Sequence, residues 1–190
     1  NYENIAKDAG IGAGSVRNYF HILTDTLIGF FLPSYHTSKR KRQKTAPKFY
    51  FHDLGLVRAL QNTLKITPQI GTYEFGKLFE TFVINEIIKI NEYTKSRFEF
   101  SHLRVDNRLE IDLIVERPGG KTMLIEIKSK DRVDERDAKA LALFAPDFKN
   151  SEAFLLSRDR TRRQIGPVTC LYWRDGVDDI FKTHPTGQPC

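Results

Sequence analysis

The spacing of apolar positions changes character along this chain, and the changes mark its elements. From Tyr2 to Ala9, with Ile5 and Ala6 inward, and from Ser15 to Leu23, with Val16, Tyr19, Phe20 and Leu23, apolar residues recur at helical intervals. Gly10-Ile11-Gly12 breaks the pattern between them. Two short helices about a glycine turn follow the helix-turn-helix plan. An apolar run from Leu27 to Leu32 stops at Pro33, a strand-like Lys48-Phe49-Tyr50-Phe51 follows, and Leu54 to Leu60 is helical again. Helices followed by strand, loop and strand make a winged-helix module, expected over residues 1–65. The connection 61–71, with Pro68 and Gly71, marks the boundary.

From Thr72 to Asn91 the pattern is helical and apolar on most sides, so an acid inside it needs a reason. Glu80 is that acid, with Val83, Ile84 and Ile87 as its helical neighbours. Strands are predicted at Arg97–Leu103, Leu109–Val115, Met123–Lys128, Ala153–Leu156 and Val168–Trp173. Helices are predicted at Glu135–Phe148 and Val177–Phe181. A helix, three strands, a helix and further strands give a mixed sheet flanked by helices, an α/β (α+β) domain over 66–182. Two prolines and a glycine after Lys182 predict a flexible tail at 183–190.

At 190 residues and 40% hydrophobic, the chain has material for a substantial core. No run approaches the roughly 20 apolar residues of a membrane span, and no signal peptide opens the chain. It begins at Asn1 without a methionine, inside a helical pattern, as expected of a fragment of a longer protein. Cys170 and Cys190 form no disulfide framework and the five histidines no zinc spacing, which fits a reducing cytoplasm. The net charge of +6 is concentrated: between His36 and Lys48 stand Lys39, Arg40, Lys41, Arg42, Lys44 and Lys48 with no acid, while the other residues carry 24 basic and 24 acidic side chains. Such a stretch suits an arm that touches phosphates. Arg17, Asn18 and His21, on the second helix, are candidates for a groove. A second basic cluster, Arg158, Arg160, Arg162 and Arg163, is diluted by Asp159.

The candidate chemistry lies between Leu109 and Lys130. Two apolar runs joined at Pro118-Gly119-Gly120 carry Asp112 in the first and Glu126-Ile127-Lys128 in the second. Residues two apart in a strand share a face, so Glu126 and Lys128 point together, and Asp112 can meet them from the neighbouring strand. A hard divalent cation, magnesium or manganese, is held by two carboxylates and a backbone carbonyl, here Asp112, Glu126 and Ile127. Lys128 would orient water or stabilise charge on phosphate, and Glu80 would complete the site. Glu110 is an alternative ligand. A solvated cross-strand ion pair is the simplest account of Glu126 and Lys128 taken alone. The apolar residues around them and the isolated Glu80 point instead to a built site.

Asp112 followed by Glu126-x-Lys128, with Glu80 on a preceding helix, resembles the PD-(D/E)xK restriction-endonuclease-like fold. Tyr2-Glu3-Asn4-Ile5-Ala6-Lys7, Ser15-Val16-Arg17-Asn18-Tyr19, Pro47 to Leu56 and Gly76-Lys77-Leu78-Phe79-Glu80 resemble, in order, the C-terminal part of a family of prokaryotic AAA-type ATPases, the domain of unknown function 4143. The resemblance covers nearly the whole chain through about Arg158. It implies a winged-helix segment and a nuclease-like domain behind an ATPase domain. No Gly-x-x-x-x-Gly-Lys-Ser/Thr loop is present, so ATP would be bound only in that other domain. Where the nuclease signature has Pro-Asp, this chain has Glu110-Ile111-Asp112, and the match rests on Asp112 alone.

Three functions follow as expectations. One is a magnesium-dependent nuclease acting on DNA, with Asp112, Glu126, Lys128 and Glu80 as its catalytic residues. The second is a module that grips DNA through Lys39, Arg40, Lys41, Arg42, Lys44 and Arg17 without cutting it. The third is a protein-interaction domain that couples the ATPase to a partner.

Overall fold

Residues 2–36, 46–105 and 109–182 are described by a computed structural model. They belong to two units, Asn1–Thr67 and Pro68–Cys190. In the first, α1 (Tyr2–Ala9) and α2 (Ala13–Asp25) are separated at Gly10, whose φ of 67° is a left-handed turn open to glycine. Ala6 and Val16 are their buried residues. Strands β1 (Gly29–Leu32) and β2 (Lys48–Phe51) pair antiparallel, Gly29 opposite Phe51 and Leu32 opposite Lys48. Edge-to-face rings hold helix to sheet and strand to strand: Phe20 of α2 lies 4.8 Å from Phe49, and Phe31 lies 5.2 Å from Phe49 across the ladder. A Cβ on Gly29 would sit 2.4 Å from the Phe49 ring, so this position excludes larger residues. Asp53 caps α3 (Leu54–Leu60) by accepting from the Leu56 N–H. The basic stretch expected to form the wing, Lys39 to Arg42 and Lys44, falls outside the described residues, as does the expected tail at 183–190.

The second unit opens with the long helix α4 (Tyr73–Thr94), capped by the Thr72 hydroxyl and stopped by Lys95 at φ 53°. It continues through β3 (Glu99–Val105), β4 (Leu109–Glu116), β5 (Thr122–Lys128), α5 (Glu135–Phe144), β6 (Ser151–Ser157), β7 (Arg163–Ile165), β8 (Val168–Tyr172) and α6 (Trp173–Phe181). The six strands form one mixed sheet in the order β3-β4-β5-β6-β8-β7. β3, β4 and β5 run antiparallel, β5, β6 and β8 parallel, and β7 antiparallel to β8. The fold class is therefore the α/β class expected from the sequence.

Successive strand residues face opposite sides of a sheet. Leu124 with Ile125, and Leu155 with Leu156, are consecutive and fully buried, so both faces of the centre are covered. α4 packs on β5 and against α6, while α5 lies across β4 to β8. Gly176 lets α6 approach β6, since a Cβ there would come within 2.2 Å of Leu156. The parallel strands end together, at Lys128, Ser157 and Tyr172, which face one another along the ladder. Ligands of open α/β sheets bind at such carboxyl ends.

Several elements depart from the sequence expectation for local reasons. The strand predicted from Arg97 starts at Glu99, because Arg97 has φ 57° and cannot be extended. The helix predicted to Phe148 stops at Phe144 and tightens into a 3₁₀ turn, Ala145–Asp147, around Pro146, which has no N–H to continue it. Helix α6 begins at Trp173, one turn before the predicted start. Strand β7 was not predicted: Arg163-Gln164-Ile165 carries no apolar alternation and forms through the turn at Gly166, φ 55°.

Candidate acid and lysine site at the carboxyl edge of the sheet

Asp112 stands where two ladders are interrupted. Along β3, Ser101 faces Ile114 but Leu103 faces Ile111, so His102 opposes both Asp112 and Leu113. This is a β-bulge, a device that re-aims side chains and lets strands diverge. On the other flank, the paired register with β5 ends at Leu113 and Ile125, one residue short of Asp112. The Asp112 carboxylate takes over beyond it, accepting the Ile127 N–H at 2.9 Å. Asp112 is only 7% exposed. A strand residue turns its N–H and C=O to the same flank, so the Ile127 carbonyl also faces the gap beside Asp112.

Glu126 and Lys128 share a face of β5, as expected, and are ion-paired at 2.5 Å. Glu80, on the second turn of α4, is 8% exposed and pairs with Lys77 at 2.8 Å. Burial drives the Glu126 carboxyl above the ordinary glutamate range; Lys128 opposes this, while Glu110 and Glu80 add to it. Burial works against the Lys77 ammonium, but Glu80 and Asp112 outweigh it and raise its pKa above that of a free lysine. Lys128 behaves likewise, its burial outweighed by Glu126, Asp112 and Asp137. These mutual influences define one electrostatic cluster of Glu80, Glu110, Asp112, Glu126, Lys77 and Lys128.

Within this cluster each principal acid has an internal partner: Asp112 the Ile127 N–H, Glu126 the Lys128 ammonium, Glu80 the Lys77 ammonium. Among the described residues no group of three or more histidine, cysteine, aspartate or glutamate side chains is set to hold a metal ion. Lys77 is the site residue that sequence reasoning missed. It stood in the quoted Gly76-Lys77-Leu78-Phe79-Glu80 stretch, and its spacing of three from Glu80 on a helix was the available signal. Arg17, Asn18 and His21, the candidates on α2, are all exposed, and Arg17 lies 5.8 Å over the Tyr2 ring.

Four cation–ring contacts belong to the same unit: Arg158 over Phe75 at 5.3 Å, Arg160 over Tyr172 at 5.0 Å, Arg174 over Trp173 at 5.1 Å and Lys77 over Tyr73 at 5.8 Å. Arg158 is also paired with Asp131 at 3.1 Å, and Arg163 with the buried Asp159 at 3.4 Å. No helix among the described residues is long and apolar enough to cross a membrane.

A mixed six-stranded sheet, flanked by helices and carrying acids and lysines at the carboxyl end of β5, defines an α/β domain with one polar edge. The chain belongs to the family described as Domain of unknown function (DUF4143), which matches residues 75–175, over half its length. A second family, Domain of unknown function (DUF8612), matches residues 1–69. No curated protein and no solved structure matches the chain.

Proposed function

We propose that this chain is the C-terminal part of an AAA-type ATPase acting in the cytoplasm, with a winged-helix segment and a PD-(D/E)xK-like domain that hydrolyses DNA phosphodiesters. The observation that carries the reading is the placement of Asp112, buried at a bulge where the β4–β5 ladder ends, with Glu126 and Lys128 on the adjoining strand. A solvated ion pair needs neither a bulge nor a break in pairing. The sequence resemblances support the ATPase and winged-helix parts.

The donor set suits a hard cation, being all oxygen: the carboxylates of Asp112, Glu126 and Glu80 and the carbonyl of Ile127. Binding requires Glu126 and Glu80 to turn from their lysines. When bound there, magnesium or manganese would supply positive charge to the phosphate and acidity to water. In that arrangement Lys128, released from Glu126, holds its ammonium toward the phosphate and offsets the charge that develops on it. The Ile127 N–H fixes the orientation of Asp112, and the apolar residues around the strands exclude bulk water.

The test is cleavage of supercoiled plasmid by the full chain in magnesium or manganese. Cleavage is expected, falling at least ~100-fold in Asp112→Ala and in Lys128→Ala. The internal pairing of every principal acid favours a second reading, a non-catalytic module that binds DNA or couples the ATPase to a partner. Plasmid left intact across metals, with DNA affinity that falls steeply with salt, selects DNA binding. Intact plasmid without DNA binding selects the protein partner.

A further inference from the structure

Tyr172 ends β8 and Trp173 begins α6, and their rings lie 5.9 Å apart. Arg160, from the loop after β6, covers the Tyr172 ring, and Arg174 covers the Trp173 ring. Cation, ring, ring and cation thus form a continuous run along the carboxyl edge. Phe82 supports Trp173 from beneath at 5.1 Å, edge to face, which fixes the ring. Both arginines are exposed, and neither forms an ion pair with the described residues. Arg162, between Arg160 and Arg163 in sequence, is exposed as well.

The position of this run is as informative as its composition. Lys128 faces Ser157 and Ser157 faces Tyr172 along the ladder. Two strand spacings, about 10 Å, therefore separate the backbone of Lys128 from that of Tyr172, and Asp112 lies one strand beyond. Arginines that only keep a surface soluble have no need to lie over supported rings beside buried carboxylates. A guanidinium plane on an aromatic ring offers a flat face to a base and outward N–H groups to a phosphate. Asp175, already in the first turn of α6, and Asp178 beyond it confine the footprint to Trp173 and Arg174 at the start of the helix.

We infer that Arg160, Tyr172, Trp173 and Arg174 bind unpaired nucleotides of a polynucleotide strand and lead that strand toward Asp112, Glu126 and Lys128. The inference rests on the proposed phosphodiester site for its direction, and its binding step is measurable without that site. A base paired within a duplex presents no free face for stacking, so the run favours a single strand.

Trp173 is the only tryptophan in the chain and reports directly on the run. The full chain is titrated with an oligothymidylate of about 20 nucleotides in EDTA, at moderate salt, while tryptophan emission is followed. Saturable quenching is expected. The doubly substituted Arg160→Gln, Arg174→Gln protein should bind at least about tenfold more weakly, since each guanidinium supplies a stacking face and a phosphate contact. Both residues are exposed, so its thermal unfolding should match the parent, and a variant chain that unfolds is replaced by each single substitution. Oligonucleotide bound without change in emission, or bound equally by the double variant, overturns the inference. Equal quenching by heparin, which has charge but no bases, overturns it too, and equal quenching by duplex overturns the preference for a single strand. Quenching without any cleavage in metal removes the nuclease reading and leaves the run; cleavage without quenching does the reverse.

Discussion

Lys77 and Glu80 lie three residues apart on α4, yet the two ends of the pair have different surroundings. The Lys77 side chain is 49% exposed and that of Glu80 10%. Most of the cost of separating them therefore falls on the acid, which is left near Glu126 with less neutralisation. Lys77→Gln should lower stability by about 1–2 kcal/mol, between the values for exposed and buried pairs. Measured by urea unfolding in EDTA, that deficit should shrink when manganese is added, because a cation then faces Glu80 in place of the ammonium. A deficit unchanged by manganese would separate Lys77 from the metal reading. At this scale Asp112, Glu126 and Lys128 were legible, because charged residues inside apolar runs stand out. The partner of Asp112 was not: its hydrogen bond runs to a backbone N–H, and no side-chain pattern announces a break in a ladder. Lys77 was hidden for another reason, since a lysine near the start of a helix is ordinary on a solvated face.

The elements around the site are held by backbone contacts that sequence periodicity does not carry. Asp159, 5% exposed after β6, accepts from the Val133 N–H at 3.2 Å and the Thr161 N–H at 2.9 Å, tying the segment after β5 to the segment after β6. Burial opposes its charge, but those two N–H groups and Arg163 outweigh it and hold the carboxyl below the usual aspartate range. A carboxyl depressed in the folded state stabilises above its unfolded pKa of about 3.9 and loses that contribution as pH falls through the folded value. Asp159→Asn should cost about 1–3 kcal/mol at pH 7 by urea unfolding. The gap should narrow as pH falls below about 4, where the parent residue also becomes neutral. A gap constant over that range would show that charge is not what Asp159 contributes. The aspartate was read as a dilution of the Arg158 to Arg163 cluster because its partners are main-chain groups on another segment. The long helix and the central strands were legible, because burial on all sides leaves runs of Val, Ile and Leu. Strand β7 and the bulge at Asp112 depend on pairing with neighbours, and so they emerged only from the register.

For the molecule as a whole, charge and family divide the chain in different places. The excess of basic residues lies in the first unit, around 39–48, while the family match at 75–175 lies in the second with the acids. On the proposed reading, the concentrated basic charge and the phosphate chemistry fall in separate units of the chain. The cation site proposed at the bulge of Asp112 and the lysine-paired acids belongs to the second unit alone. A crystal of the chain soaked with manganese, read by anomalous scattering, tests it most directly. One peak shared by Asp112 and Glu126 is expected, with Glu126 turned from Lys128 and the Lys77–Glu80 pair opened. A map with no peak at these acids and both lysine pairs intact would contradict the cation site.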